Sequence, residues 1–139
     1  MAFRILCVDD HPLVLNTLRL ILESEKYLVT TAETATAALA HVGEAFDAAI
    51  LDYQLPGMNG AALAGTLKSF QPGLPIVLFS GYTDIANVDT HPFDALLAKG
   101  SSLQCLVDTV RDVICRSQSV ATETVFDTVA RLQGTQVQL

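Results

Sequence analysis

The sequence predicts an α/β protein built on a five-stranded parallel sheet, strand order 2-1-3-4-5, with helices on both faces. Three observations carry this. Short apolar runs of strand length alternate five times with segments of helical periodicity. The runs are nearly continuous in apolar residues, as in strands covered on both sides. And 139 residues suffice for one domain with a stable core of its own. Right-handed crossovers then leave few arrangements, of which 2-1-3-4-5 is a common one.

The elements follow in order. Phe3 to Val8 is the first strand and a central one, ending at Asp9-Asp10-His11-Pro12. Pro12 suits the first turn of a helix carrying Val14, Leu15, Leu18, Ile21 and Leu22 on one face. Tyr27 to Ala32 is the second strand, and Thr34 caps a helix with Ala35, Ala38, Leu39 and Val42 inward. Ala48 to Leu51 is the third strand, which delivers Asp52 to its C-terminal end. The loop after it is shaped by Pro56, Gly57 and Gly60. Asn59 caps a third helix through Leu63, Ala64, Leu67 and Phe70, stopped by Gln71-Pro72-Gly73. Pro75 to Ser80 is the fourth strand. Thr83 to Pro92 is a weak, shortened fourth helix with only Ile85, Ala86 and Val88 as apolar anchors. Phe93 to Ala98 is the fifth strand, ending at Lys99-Gly100. Ser101 and Gln104 form a capping-box pair ahead of a stripe of Leu103, Leu106, Val107, Val110, Val113 and Ile114.

Composition removes several classes of function. A net charge of -7 and a pI near 4.6 argue against nucleic acid as a direct partner. No run of 18 apolar residues is present, so no membrane insertion is expected, and the acidic pair Asp9-Asp10 comes too early for a signal peptide. Cys7, Cys105 and Cys115 have no metal-binding spacing and are read as buried thiols in a reducing cytoplasm.

In the predicted strand order, strands 1, 3, 4 and 5 lie side by side, and their C-terminal ends bear Asp9 and Asp10, Asp52, Ser80 and Lys99. Crowded carboxylates either take up protons or bind a cation. Aspartates with carbonyls and waters suit Mg²⁺. A lysine and a hydroxyl beside them complete a phosphoryl-transfer site, with Asp52 as the nucleophile that forms an acyl phosphate. Each residue also has a plainer reading taken alone. Asp9-Asp10 favours the positive end of a helix dipole, Ser80 suits a turn, and Lys99 suits a solvated surface. His11 reads as a loop residue, and neither His41 nor His91 has a visible partner. The coincidence at successive strand ends sets the functional reading above the plain one.

From Phe3 to about Arg116 the chain resembles the receiver domain of two-component response regulators, a flavodoxin-like, doubly wound fold. The matching pieces are Val8-Asp9-Asp10-His11-Pro12, Leu51-Asp52-Tyr53-Gln54-Leu55-Pro56-Gly57-Met58-Asn59-Gly60, Leu78-Phe79-Ser80-Gly81 and Ala98-Lys99-Gly100. The resemblance implies that a sensor histidine kinase or histidine phosphotransfer protein donates phosphate to Asp52. It implies that Asp10 binds Mg²⁺ directly, Asp9 mainly through water, and the backbone carbonyl of Gln54 as a further ligand. It implies that Ser80 and Lys99 engage the phosphoryl group and couple it to a change of shape. Three departures touch the output face: Gly100 replaces the usual proline, Leu96 the usual aromatic, and the interval from Ser80 to Lys99 is short.

Residues 1–116 are therefore expected to form the receiver and 117–139 a tail, helical at about 122–133, capped by Thr122 and ended by Gly134. The tail either packs as an extra helix or offers a surface to a partner, a second copy included. It is too short for a DNA-binding effector domain. The expected function is that of a cytoplasmic phosphoacceptor rather than an enzyme, signalling through a downstream protein target or by phosphate relay. Two alternatives stand beside it: an adaptor that works without phosphorylation, and a phosphatase with an Asp nucleophile, for which no general acid or base is evident near Asp52.

Overall fold

Strand β1 (Arg4–Val8) lies between β2 (Leu28–Ala32) and β3 (Ala48–Leu51), and β4 (Ile76–Ser80) and β5 (Ala95–Ala98) extend the sheet beyond β3. The order is β2-β1-β3-β4-β5 and every pair is parallel, as the alternation in the sequence predicts. The computed structural model describes residues 2–81 and 89–132, with 119–132 described by backbone alone. Among the described residues four helices surround the sheet: α1 (Pro12–Ser24), α2 (Ala35–Leu39), α3 (Gly60–Phe70) and α4 (Leu103–Leu132).

The pleat divides the core in two. Ile5 and Cys7 of β1 point to one face with Ala48, Ile50 and Val77, under Leu15, Leu18 and Leu22 of α1 and Val110, Val113 and Ile114 of α4. Leu6 and Val8 point to the other with Ala49, Leu51 and Ile76, under Ala35 and Ala38 of α2 and Leu63, Ala64 and Leu67 of α3. Burial pushes the Cys7 thiol up to about 12, so it behaves as a small core hydrophobe. The expected caps on α2 and α3 are present: Thr34 Oγ1 accepts from the Ala37 N–H at 3.0 Å and Asn59 Oδ1 from the Ala62 N–H at 2.8 Å.

Four details differ from expectation. The cap of α4 is Ser102, whose Oγ accepts from the Cys105 N–H at 3.1 Å, and not Ser101. The Ser101 N–H is used to close the turn after β5 on the Ala98 carbonyl, which moves the helix start by one residue. Cys105 and Cys115 lie exposed on the outer side of α4, so only Cys7 is a buried thiol; all three are free. The helical residues of the tail up to Leu132 are not a separate element, because no glycine or proline interrupts the chain between Leu103 and Leu132 and α4 runs through Thr122. Residues 133 and 134, the expected end of that helix, lie outside the described residues, as does most of the shortened fourth helix expected at 83–92. Its last residues, 89–92, are non-helical and close a turn in which the Phe93 N–H donates to the Thr90 carbonyl.

Candidate functional site

Strands β1, β3 and β5 each hand over one more backbone hydrogen bond beyond their last residue. The Asp9 N–H donates to the Ala32 carbonyl at 3.1 Å, the Asp52 N–H to the Val8 carbonyl at 2.9 Å, and the Lys99 N–H to the Ser80 carbonyl at 3.0 Å. The three residues are thus held by the sheet itself, whose rigidity fixes where their side chains begin. Lys99 Nζ reaches back across the sheet end to within 2.7 Å of Asp9 Oδ2 and 3.4 Å of Asp52 Oδ2. Ligand atoms of Asp9, Asp10, His11 and Asp52 lie within 4.8 Å of one another.

Burial makes this cluster electrostatically expensive. Asp9 is fully buried, and Asp52 and Ser80 are nearly so. Loss of water around Asp52 and then the neighbouring Asp9 charge raise its carboxyl above the usual range, against the pull of Lys99 and the Tyr53 N–H, which donates to Oδ1 at 2.8 Å. Burial alone would lower the Lys99 ammonium, but the two carboxylates outweigh it and raise it. One lysine faces two buried carboxylates, with Asp10 beside them. Asp9 Oδ2 is buried and meets Lys99 Nζ at 2.7 Å. A set of carboxylate oxygens around a pocket of unbalanced negative charge fits a hard divalent cation.

The loop after β3 is shaped around Asp52. Gly57 sits at φ +79°, the left-handed region that glycine adopts without strain. Gly60 packs directly beneath the strand end, where an added Cβ would lie 2.3 Å from the Asp52 carbonyl oxygen and 2.8 Å from Tyr53 Cα. Gln54 lies exposed in this loop, two residues past Asp52. Gly81 rests against the stem of Lys99, although a Cβ there would meet Cδ at an ordinary 3.5 Å.

The structure brings together the predicted Asp9, Asp10, Asp52 and Lys99, and places Ser80 on the adjacent strand end opposite Ala98. It adds His11, whose Nδ1 lies 3.1 Å from Asp9 Oδ1 and 3.0 Å from Asp10 Oδ1. Proximity in sequence to the two aspartates was the available signal for His11, but direction was not: only the turn into α1 decides where the ring points.

The model of the response regulator receiver domain matches residues 5–111. The chain belongs to this family. Receiver domains are characteristically phosphorylated on an aspartate, bind Mg²⁺ at an acidic cluster and interact with histidine kinases or phosphotransfer proteins in two-component signalling. Among solved structures, a CheY-like receiver from Methanospirillum hungatei is 30% identical with a TM-score of 0.81, over 86% of this chain and 98% of that one. The response regulator TrrA of Thermotoga maritima, in complex with Mg²⁺-BeF, is 29% identical with a TM-score of 0.75, over 81% of this chain and 99% of that one. Among curated proteins, the DNA-binding response regulator MtrA of Mycolicibacterium smegmatis is 36% identical over 63% of this chain and 39% of its own length. The sensor protein GacS of Pseudomonas syringae is 36% identical over 58% of this chain and 10% of its own. This receiver therefore spans well under half the length of those two curated relatives. Among the described residues no helix is long and apolar enough to cross a membrane.

Proposed function

We propose that this receiver accepts a phosphoryl group on Asp52 from a sensor histidine kinase or histidine phosphotransfer protein, in a Mg²⁺-dependent step in the cytoplasm. A carboxylate oxygen of Asp52 attacks phosphorus, the bond from phosphorus to the donor's imidazole nitrogen breaks, and the nitrogen leaves with the electron pair. Asp9, Asp10, Asp52 and the backbone carbonyl of Gln54 would hold the cation. Bound there, Mg²⁺ supplies positive charge against the phosphoryl oxygens. Lys99, now on Asp9 and Asp52, turns to a phosphoryl oxygen once Asp52 is phosphorylated, and Ser80 offers its hydroxyl to another. The chain signals by protein interaction or relay and is not an enzyme acting on a separate substrate. Its receiver occupies residues 1–116 and its tail 117–139.

The observation that carries this reading is the contact of one lysine with two buried carboxylates at the end of a parallel sheet. The neighbour TrrA, whose structure contains Mg²⁺-BeF, gives it support from outside the chain. Incubation with a small acyl phosphate and Mg²⁺, followed by intact-mass measurement, is expected to add one phosphoryl group, labile to acid and base. The Asp52→Asn protein is expected to add none; equal incorporation in that variant would reject the assignment.

A further inference from the structure

We propose that His11 is a ligand of the cation site and that its imidazole makes the site favour Mn²⁺ and Co²⁺ over Mg²⁺. The inference rests on the reading of Asp9, Asp10 and Asp52 as a cation site and adds a donor of different chemistry to it. His11 occupies the N-cap of α1, a position best filled by Ser, Thr, Asp or Asn. Yet its side chain makes no capping hydrogen bond, so the imidazole is not spent on the helix. Pro12 follows, and disfavours helical backbone at His11. The residue is accordingly extended, at φ -101° and ψ 110°. Its own N–H is tied to Asp9 Oδ1 at 2.9 Å, which fixes the backbone against the cluster.

The ring then lies over the two aspartates. In an octahedral shell with bonds of about 2.1 Å, adjacent ligand atoms stand about 3 Å apart. Nδ1 is 3.1 Å from Asp9 Oδ1 and 3.0 Å from Asp10 Oδ1, two such edges meeting at one nitrogen. The other oxygen of the same carboxylate, Asp9 Oδ2, is buried and held by Lys99 Nζ at 2.7 Å, which fixes the carboxylate with Oδ1 toward His11. Without a cation, Nδ1 faces the two carboxylates. With one, the neutral tautomer protonated on Nε2 turns the Nδ1 lone pair to the ion, and Nε2 faces solvent on a side chain that is 67% exposed.

A hydrogen bond between imidazole and carboxylate has the same length, so distance alone does not separate a ligand from a neighbour. Metal preference does. Oxygen donors suit Mg²⁺, whereas imidazole favours first-row transition ions, more strongly for Co²⁺ than for Mn²⁺. The test is calorimetric titration with Mg²⁺, Mn²⁺ and Co²⁺ of the Cys105→Ser/Cys115→Ser chain, which has no exposed thiol to capture Co²⁺, with and without His11→Ala. The inference expects His11→Ala to weaken Co²⁺ binding by roughly tenfold or more, Mn²⁺ by less and Mg²⁺ by no more than about twofold. His11→Gln, polar but without an imidazole, should behave like the alanine variant. Equal weakening for all three ions, or none, overturns the role of His11 while leaving the cation site standing. A parent chain that binds none of the three ions overturns the site reading as well.

Discussion

The two ends of the sheet handle charge in opposite ways. At the N-terminal end of β1, Arg4 is matched from every side. Its N–H donates to Asp47 Oδ2 at 2.7 Å, its guanidinium meets Glu44 at 2.6 Å, and it lies 5.3 Å above the Phe46 ring. His41 bonds Glu44 as well, and together His41 and then Arg4 hold the Glu44 carboxyl below its usual range. At the C-terminal end the signs do not balance, and Asp52 is pushed the other way. The same β-ladder ends in a satisfied cluster at one edge and a frustrated one at the other. Both clusters contain ion pairs, so ion pairs alone do not mark a functional site. The two clusters differ in the direction in which their carboxylates are shifted.

The hardest way to break this contrast is to deform the frustrated end itself. Gly60→Ala forces a Cβ into the Asp52 carbonyl. It should cost about 3 kcal/mol of stability in denaturant titration, and a loss under 1 kcal/mol would mean that the loop is not held against the strand. Next comes the counter-charge. Lys99→Ala strands Asp9 and Asp52 without a cation and should cost about 2 kcal/mol in chelator; most of that loss should return on adding Mg²⁺. A third measurement uses the cation alone: each tenfold rise in free Mg²⁺ above its dissociation constant should add about 1.4 kcal/mol of stability, and Asp10→Ala should abolish the increment.

Smaller effects test the signs. A raised carboxyl keeps its proton in the folded chain at a pH where the unfolded chain has lost it. The contribution of Asp52 to stability is therefore complete below the ordinary carboxylate range and lost as pH rises through its raised value. Asp52→Asn should raise the thermal midpoint at neutral pH in the absence of divalent cations; a fall would show that Lys99 more than balances the pocket. Glu44 runs the other way. Its contribution is present above the ordinary range and lost as pH falls through its lowered value. Glu44→Gln should give the smallest change of the set, a flatter acid limb with the neutral midpoint hardly moved, since an exposed ion pair adds little. Parallel pH profiles for the two variants would erase the contrast between the ends.

Leu96 shows where the departures from the family pattern lead. It stands on β5 at 45% exposed, an aliphatic side chain at the position where an aromatic is usual. The neighbouring residues 82–88 lie outside the described residues.

Much of this was determined by sequence because it follows from local rules. Periodicity sets strand and helix, Thr34 and Asn59 declare their caps, and the strand-end positions of Asp9, Asp52, Ser80 and Lys99 follow once the strands are placed. Where local rules compete, tertiary structure decided. Ser101 and Ser102 are equivalent as caps until the turn after β5 uses the backbone of one of them. Cys105 and Cys115 fit a helical pattern, but which side of α4 faces the sheet depends on α1 and the strands beneath it. The direction of the His11 ring is set by the turn into α1, which lays it over Asp9 and Asp10. Lys99 is the clearest case: a long, flexible cation 47 positions from Asp52 finds it because β3, β4 and β5 are neighbours, and that adjacency is a property of the sheet and of no shorter stretch of chain.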